Sequence, residues 1–264
     1  MTHALTLPAA PRIPLPLKLV YTAFMAVLVP VYLHYYGPTN FLYFCDVALL
    51  LTLVGIWIES PLLLAMCAIG ITIPQLVWVV DFIGTAVGLP LTGMTAYMFE
   101  AHRSLFLRGL SLFHGWLPFL LLYLVAKLGY DRRALLYWTV LAWVLILICF
   151  FFMPPPNPNA GLTPVNINYV WGLNDSEPQT WMPPSLWLIG MMVLMPVICF
   201  LPVHFLFTRL MPPAPEPANV SPRQALNRPH GEEARSAVSN HRPPRGRPSF
   251  ETRPSGAPQD EGGG

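Results

Sequence analysis

Apolar positions run almost without interruption through six stretches of the chain, at residues 17–36, 42–58, 61–83, 105–127, 134–153 and 186–207. A helix needs about 20 mostly apolar residues to cross a hydrocarbon core about 30 Å thick. Five of the stretches meet that length. The second is short, and Asn40 and Phe41 extend it toward a full span. Residues 84–103 break the pattern with Gly84, Gly88, Pro90 and Gly93, and read as a loop or a helix lying in the interface. The pattern therefore predicts an all-α membrane protein: a polytopic bundle of about six transmembrane helices at 17–208, after a short N-terminal segment at 1–16.

Composition sharpens the picture in one place. Of the 264 residues 54% are hydrophobic and 11% charged, where soluble domains are nearer 25% charged. This excludes a water-soluble globular domain, a coiled coil and a disulfide scaffold. The charge is not spread evenly. Residues 213–264 hold seven Arg and six Asp or Glu, but only Val220, Leu226, Val238 and Phe250 among large apolar residues. Such a segment buries too little to offset its ordering entropy. Residues 209–264 are thus expected to form a disordered cytoplasmic tail. The net charge of +2 gives no reason to expect a nucleic-acid partner.

Lys and Arg near the span ends set orientation. Arg12 and Lys18 precede the first span, Lys127, Arg132 and Arg133 lie between the fourth and fifth, and Arg209 follows the sixth. Residues 37–41 and 154–184 carry no Lys or Arg; Arg103 and Arg108 oppose the trend. The bias places both termini in the cytoplasm, with a bacterial inner membrane as the expected setting. Trp57, Trp78, Trp138, Trp171, Trp181 and Trp187 fall near predicted span boundaries, where indole rings favour the interface.

Polar groups at membrane depth are expensive and so carry the functional information. The second span contributes Cys45, Asp46 and Thr52; the third Thr72, Gln75 and Asp81; the fourth Arg108, Ser111 and His114. At 1.5 Å per helical residue, Cys45 lies roughly 8 Å and His114 roughly 14 Å below the outer face. Ser104, Arg108, Ser111 and Gly115 repeat at helical spacing, with His114 beside them, so a polar stripe faces into the bundle. Gly115 and Pro118 permit a bend. Asp46, Asp81, Arg108, Ser111, His114 and Cys45 are therefore expected to converge in one outward-facing pocket. Within it, Asp46 or Asp81 would orient His114, or the carboxylates would form an ion pair with Arg108.

Other chemistry lacks its signature. The spans contain no C-x-x-C and no H-x-x-x-H, and no G-x-S-x-G occurs anywhere. No metal and no cofactor is expected. The 31-residue loop at 154–184 is long for a connector. It reads as a packed cap around 166–173, with Asn166 and Asn168 reaching the outer pocket.

The motifs "FLYFCDVALLLT", "LSLFHGW", "VNINYVWG" and "PQTWMPPSLWL", in that order, resemble the YwaF-like integral membrane proteins over residues 15–208. Their eukaryotic relatives include a transmembrane acyltransferase of ether phospholipids and the androgen-induced hydrolases of fatty-acid esters. The resemblance implies a nucleophile at Cys45 and a base at His114, with Asn166 or Asn168 at the family's Asn-Tyr motif. The "LHLC" lead-in of the family is replaced here by Tyr43-Phe44-Cys45. It implies a membrane lipid substrate, a phospholipid or acyl ester. In that chemistry Arg108 would hold the head group or the developing oxyanion.

Three functional classes follow from the residues. One is a membrane-embedded acyltransferase or lipid hydrolase using Cys45 and His114. Another is a non-enzymatic lipid-binding, receptor or scaffold protein. The third is a carrier for a small polar solute.

Overall fold

The structure, a computed structural model, describes residues 12–157, 164–174 and 177–215. The expected tail beyond residue 215 lies outside the described residues, as does Asp175 of the long loop.

The described chain is helical. Helix α1 spans Leu15–Tyr36, α2 Phe44–Trp57, α3 Pro61–Ala86, α4 Leu105–Ser111, α5 Phe113–Leu128, α6 Ala134–Phe152, α7 Pro184–Met195 and α8 Leu201–Leu210. Helices α4 and α5 form one rod, and α7 and α8 another, joined through a π-helical turn at Pro196–Phe200. Among the described residues, five rods are long and apolar enough to cross a membrane, and α2 is a shorter sixth. The chain has the helices of a polytopic membrane protein.

The third rod sits at the centre. Of its most apolar window 61% is buried, against 28% for α1 and 22% for the α7–α8 rod, whose outer faces are exposed. Its small residues make this possible. Gly70 lies so close to the Trp138 indole of α6 that a Cβ there would fall inside the ring. Trp138 is fully buried and Trp78 nearly so. Neither is the interfacial anchor that its position near a span end predicts, whereas Trp57 and Trp181 are exposed.

Three boundaries differ from the apolar pattern. Asn40 and Phe41 do not extend α2; they form a separate 3-10 turn at Pro38–Leu42, and Tyr43 is extended. The 14 residues of α2 rise only about 21 Å. Helix α3 runs to Ala86, three residues past the predicted end, before a glycine turn at Gly88. The fourth rod breaks at Leu112, not at Pro118. There the Gly115 N–H bonds to the Leu112 carbonyl, so the Ser111 carbonyl loses its usual i+4 donor.

One end of the bundle collects basic residues. Glu59, with a left-handed φ of 51°, turns the chain between α2 and α3. Its carboxylate accepts from Lys18 Nζ at 2.7 Å and from the backbone N–H groups of Arg12 and Ile13. Burial alone would raise its pKa, but these three donors outweigh it and hold the carboxyl below its ordinary value. The Arg12 guanidinium donates to the Leu128 carbonyl. Beyond α5, Tyr130 exchanges backbone hydrogen bonds with Pro212 and Ala214. Residues 209–215, expected at the start of the tail, are therefore held: Arg209 and Leu210 complete α8, and the next residues are paired to Tyr130. Gly129 is required here, because its φ is 94° and a side chain would meet the Pro213 and Ala214 backbone.

Candidate functional site

The opposite end carries most of the predicted polar residues, and it divides into a loop-held rim and a buried row beneath it.

At the rim, Asp81 lies fully buried near the end of α3. Its Oδ1 accepts from the Thr92 and Gly93 N–H groups, and its Oδ2 from the Thr95 N–H at 2.9 Å and the Thr95 hydroxyl at 2.6 Å. The "LTGMT" run thus wraps its backbone donors around one carboxylate. This corrects the sequence expectation: Asp81 neither pairs with Arg108 nor orients His114. Arg108 donates from Nη1 to the Met98 carbonyl, while its Nε is buried without a partner. Among the described residues it makes no ion pair, whereas Arg103 pairs with Glu100 and donates to the Tyr36 hydroxyl.

The long loop has the same structural use. Asn166 and Asn168 both adopt left-handed backbone, which Asn tolerates. The Asn166 side chain accepts from the Trp171 N–H and donates to the Gly172 and Asn174 carbonyls. Asn168 accepts from the Phe44 N–H at 3.0 Å and donates to the Leu42 carbonyl at 2.8 Å. Neither amide reaches into a pocket as expected. Asn166 shapes the loop, and Asn168 caps the start of α2, where Asn40 and Phe41 fail to continue the helix. Ile167 and Val170 bury beneath them, so the loop is the packed cap that its length predicts.

The buried row lies between α1, α2, α3 and the α4–α5 rod. Cys45 and Asp46 open α2, and the thiol donates to Asp46 Oδ2 at 3.7 Å. Asn40 Nδ2 donates to the same oxygen at 3.2 Å. Asp46 Oδ1 is buried and has no partner. Ser111 Oγ pairs with the Tyr32 hydroxyl at 3.0 Å and donates to the Leu107 carbonyl. On α3, Gln75 is buried with both amide atoms unpartnered, and one turn on the buried Trp78 indole meets the Tyr97 phenol. Gly55 packs against Leu64 across the α2–α3 hairpin, and extending that antiparallel register brings Asp46 opposite Ile73, within one helical turn of Gln75.

His114 takes its place from the helix break. Its Nδ1 lies 2.8 Å from the Ser111 carbonyl, the acceptor that the break released. A carbonyl can only accept, so Nδ1 carries the proton and the neutral ring keeps its lone pair on Nε2. The ring stacks on Trp78 at 4.8 Å and on Phe113. Trp78 continues through Phe82 to Phe99 in an aromatic column that reaches the rim.

Cys45 and His114 do not bond to each other among the described residues: the thiol is turned to Asp46, and the imidazole to its own helix. Tyr97, from the rim loop, places its phenol against Ser111 and Trp78 and near Cys45, and burial pushes its pKa above the ordinary value. Tyr97, Tyr32, Asn40 and Trp78 are the site residues that the sequence reading missed. Aromatic rings count as apolar in a span search. Trp78 carried a signal nonetheless, standing three residues from both Gln75 and Asp81 on one helical face. Among the described residues, no three His, Cys, Asp or Glu side chains gather as a metal site.

Neither protein-family models, nor curated proteins, nor solved structures yield a match to this chain.

Proposed function

We propose that this chain is an intramembrane binding protein for the hydroxyl-bearing head of a neutral acyl ester, such as a monoacylglycerol. The observation that supports this is the row of unpartnered polar atoms in an apolar bundle: Asp46 Oδ1 and both amide atoms of Gln75. Each such atom costs about 1–3 kcal/mol when left unpaired. The row offers both acceptors and donors, and among the described residues no Lys or Arg is hydrogen-bonded to it. A group that donates and accepts without charge answers that set, and a hydroxyl does so. Arg108, at the rim, suits the ester carbonyl. In this reading the acyl chain lies along the bundle, both termini are cytoplasmic, and the membrane is a bacterial inner membrane.

The test uses the full chain in detergent with monoolein as the probe. Wild type is expected to retain monoolein in native mass spectrometry and to melt higher with it. The double variant Asp46→Asn, Gln75→Met should fold and lose both effects. No retention by wild type, or equal retention by the variant, overturns the reading.

A second reading, acyl transfer or ester hydrolysis, is favoured by the free Nε2 of His114. Catalysis would need the Cys45 thiol to turn from Asp46 to that nitrogen and give up its proton. The sulfur would then attack the ester carbonyl, expel the glycerol alkoxide and leave a thioester for water or a second lipid. Oleate release from monoolein, lost in Cys45→Ala and His114→Gln while binding persists, supports it. Release that survives Cys45→Ala sinks it. The likeness to the YwaF-like family belongs with this second reading.

A further inference from the structure

The basic end of the bundle holds a separate feature. Among the described residues, six Lys or Arg (Arg12, Lys18, Lys127, Arg132, Arg133 and Arg209) gather there against two carboxylates, Glu59 and Asp131. Both carboxylates are already used. Glu59 is held by Lys18 and by the backbone of Arg12 and Ile13. Asp131 accepts from Arg133 through its backbone N–H, Nε and Nη2, and these bonds keep its pKa below the ordinary value. Lys127, Arg132 and Arg209 are left without a carboxylate partner among the described residues. Among the described residues Arg132 also has no hydrogen-bond acceptor. It lines a cavity of about 100 Å³ together with Tyr130, Thr208, Met211 and Pro213.

The walls of this cavity are built by the fold. The bonds between Tyr130 and the Pro212–Ala214 backbone fix one side, and the 2.6 Å contact between the Tyr130 hydroxyl and His204 Nδ1 ties that side to α8. The volume admits a phosphate group but not a nucleotide. Beside it the helices show lipid an apolar face: Leu136 of α6 and Leu206 and Leu210 of α8 are more than half exposed. A guanidinium with no carboxylate partner among the described residues, at a small cavity with apolar surface alongside, matches an anionic phosphate whose tails lie against the helices.

We infer that Arg132 and the cavity between the α5–α6 turn and the end of α8 bind an anionic phosphate, supplied by a phospholipid head group or by free phosphate. The site is independent of the polar row at the other end and stands whether or not that row binds an acyl ester.

The experiment takes the delipidated full chain in detergent and titrates dioleoylphosphatidylglycerol, dioleoylphosphatidylcholine and inorganic phosphate, following melting temperature and bound adducts by native mass spectrometry. The phosphatidylglycerol is expected to bind and the zwitterionic lipid not to. Arg132→Gln should weaken phosphatidylglycerol about tenfold, as expected for loss of one charged hydrogen-bonding group. Arg132→Lys should retain part of the affinity, and Arg103→Gln at the opposite end should change nothing. Arg132-dependent binding of inorganic phosphate, with no gain from the lipid, supports the site with free phosphate as its source. If Arg132→Gln binds phosphatidylglycerol and phosphate as wild type does, or if wild type binds neither, the inference is overturned. The Arg132 side chain is exposed and unpartnered, so the unliganded variant should melt as wild type does.

Discussion

Two carboxylates in this bundle are both shielded from solvent and differently served. Asp81 receives four donors, all from one loop within 14 residues of it. Asp46 receives one amide and one thiol, and its second oxygen has nothing. The difference separates a group that builds structure from one left open to a ligand. A buried charge that is fully paired contributes local order, and its neighbours cannot spare it. A buried polar atom that is unpaired costs stability in the empty protein, and the cost is recovered only when something binds.

The largest effect should come from breaking the satisfied side. Asp81→Asn puts an amide N–H₂ where an acceptor is needed, facing the Thr95 N–H and hydroxyl or the Thr92 and Gly93 N–H groups. It is expected to cost about 3 kcal/mol and to open residues 87–104 to protease, read by thermal melts in detergent and limited proteolysis. If Asp46→Asn costs as much, the contrast between the two carboxylates is wrong.

Next is Asn168→Ala, which removes the cap on α2 and frees the Leu42 carbonyl. About 1–2 kcal/mol is expected, with faster amide exchange at Phe44 and Cys45. An unchanged exchange rate would mean that the loop does not hold the start of α2.

Glu59, at the basic end, is a third fully served carboxylate and has a pH signature. Its folded-state pKa is depressed. Its contribution is therefore complete above the unfolded value of about 4.3 and is lost as the pH falls through the folded one. Wild type should lose stability below about pH 4 more steeply than Glu59→Gln, by roughly 1 kcal/mol. Parallel curves would assign the acid loss to other groups.

The smallest effect, and the sharpest in sign, is Gln75→Met. Replacing an unpaired buried amide by an apolar chain of similar length should leave the empty protein unchanged or up to about 1 kcal/mol more stable. Destabilisation beyond that would show that Gln75 is bonded after all, and the open row would shrink to Asp46.

Some of this was legible in the residues. Lipid demands apolar surface and internally bonded backbone, so runs of Leu, Ile, Val and Phe read directly as helices. The class of protein, five long spans and a shorter second one followed from that alone. The charge bias also marked out Arg12, Lys18, Lys127, Arg132, Arg133 and Arg209 as one group, and the fold does gather them at one end. Composition could not tell which polar residue serves the backbone and which is left over. That depends on partners far away in the chain: Asn168 meets Phe44 across 124 residues, and Tyr32 meets Ser111 across 79. Asp46 and Asp81 are the same side chain in similar apolar company. Only the tertiary structure brings a glycine-threonine loop to one and leaves the other short of a donor, because hydrogen bonds are short and directional and sequence spacing beyond a helical turn does not encode them.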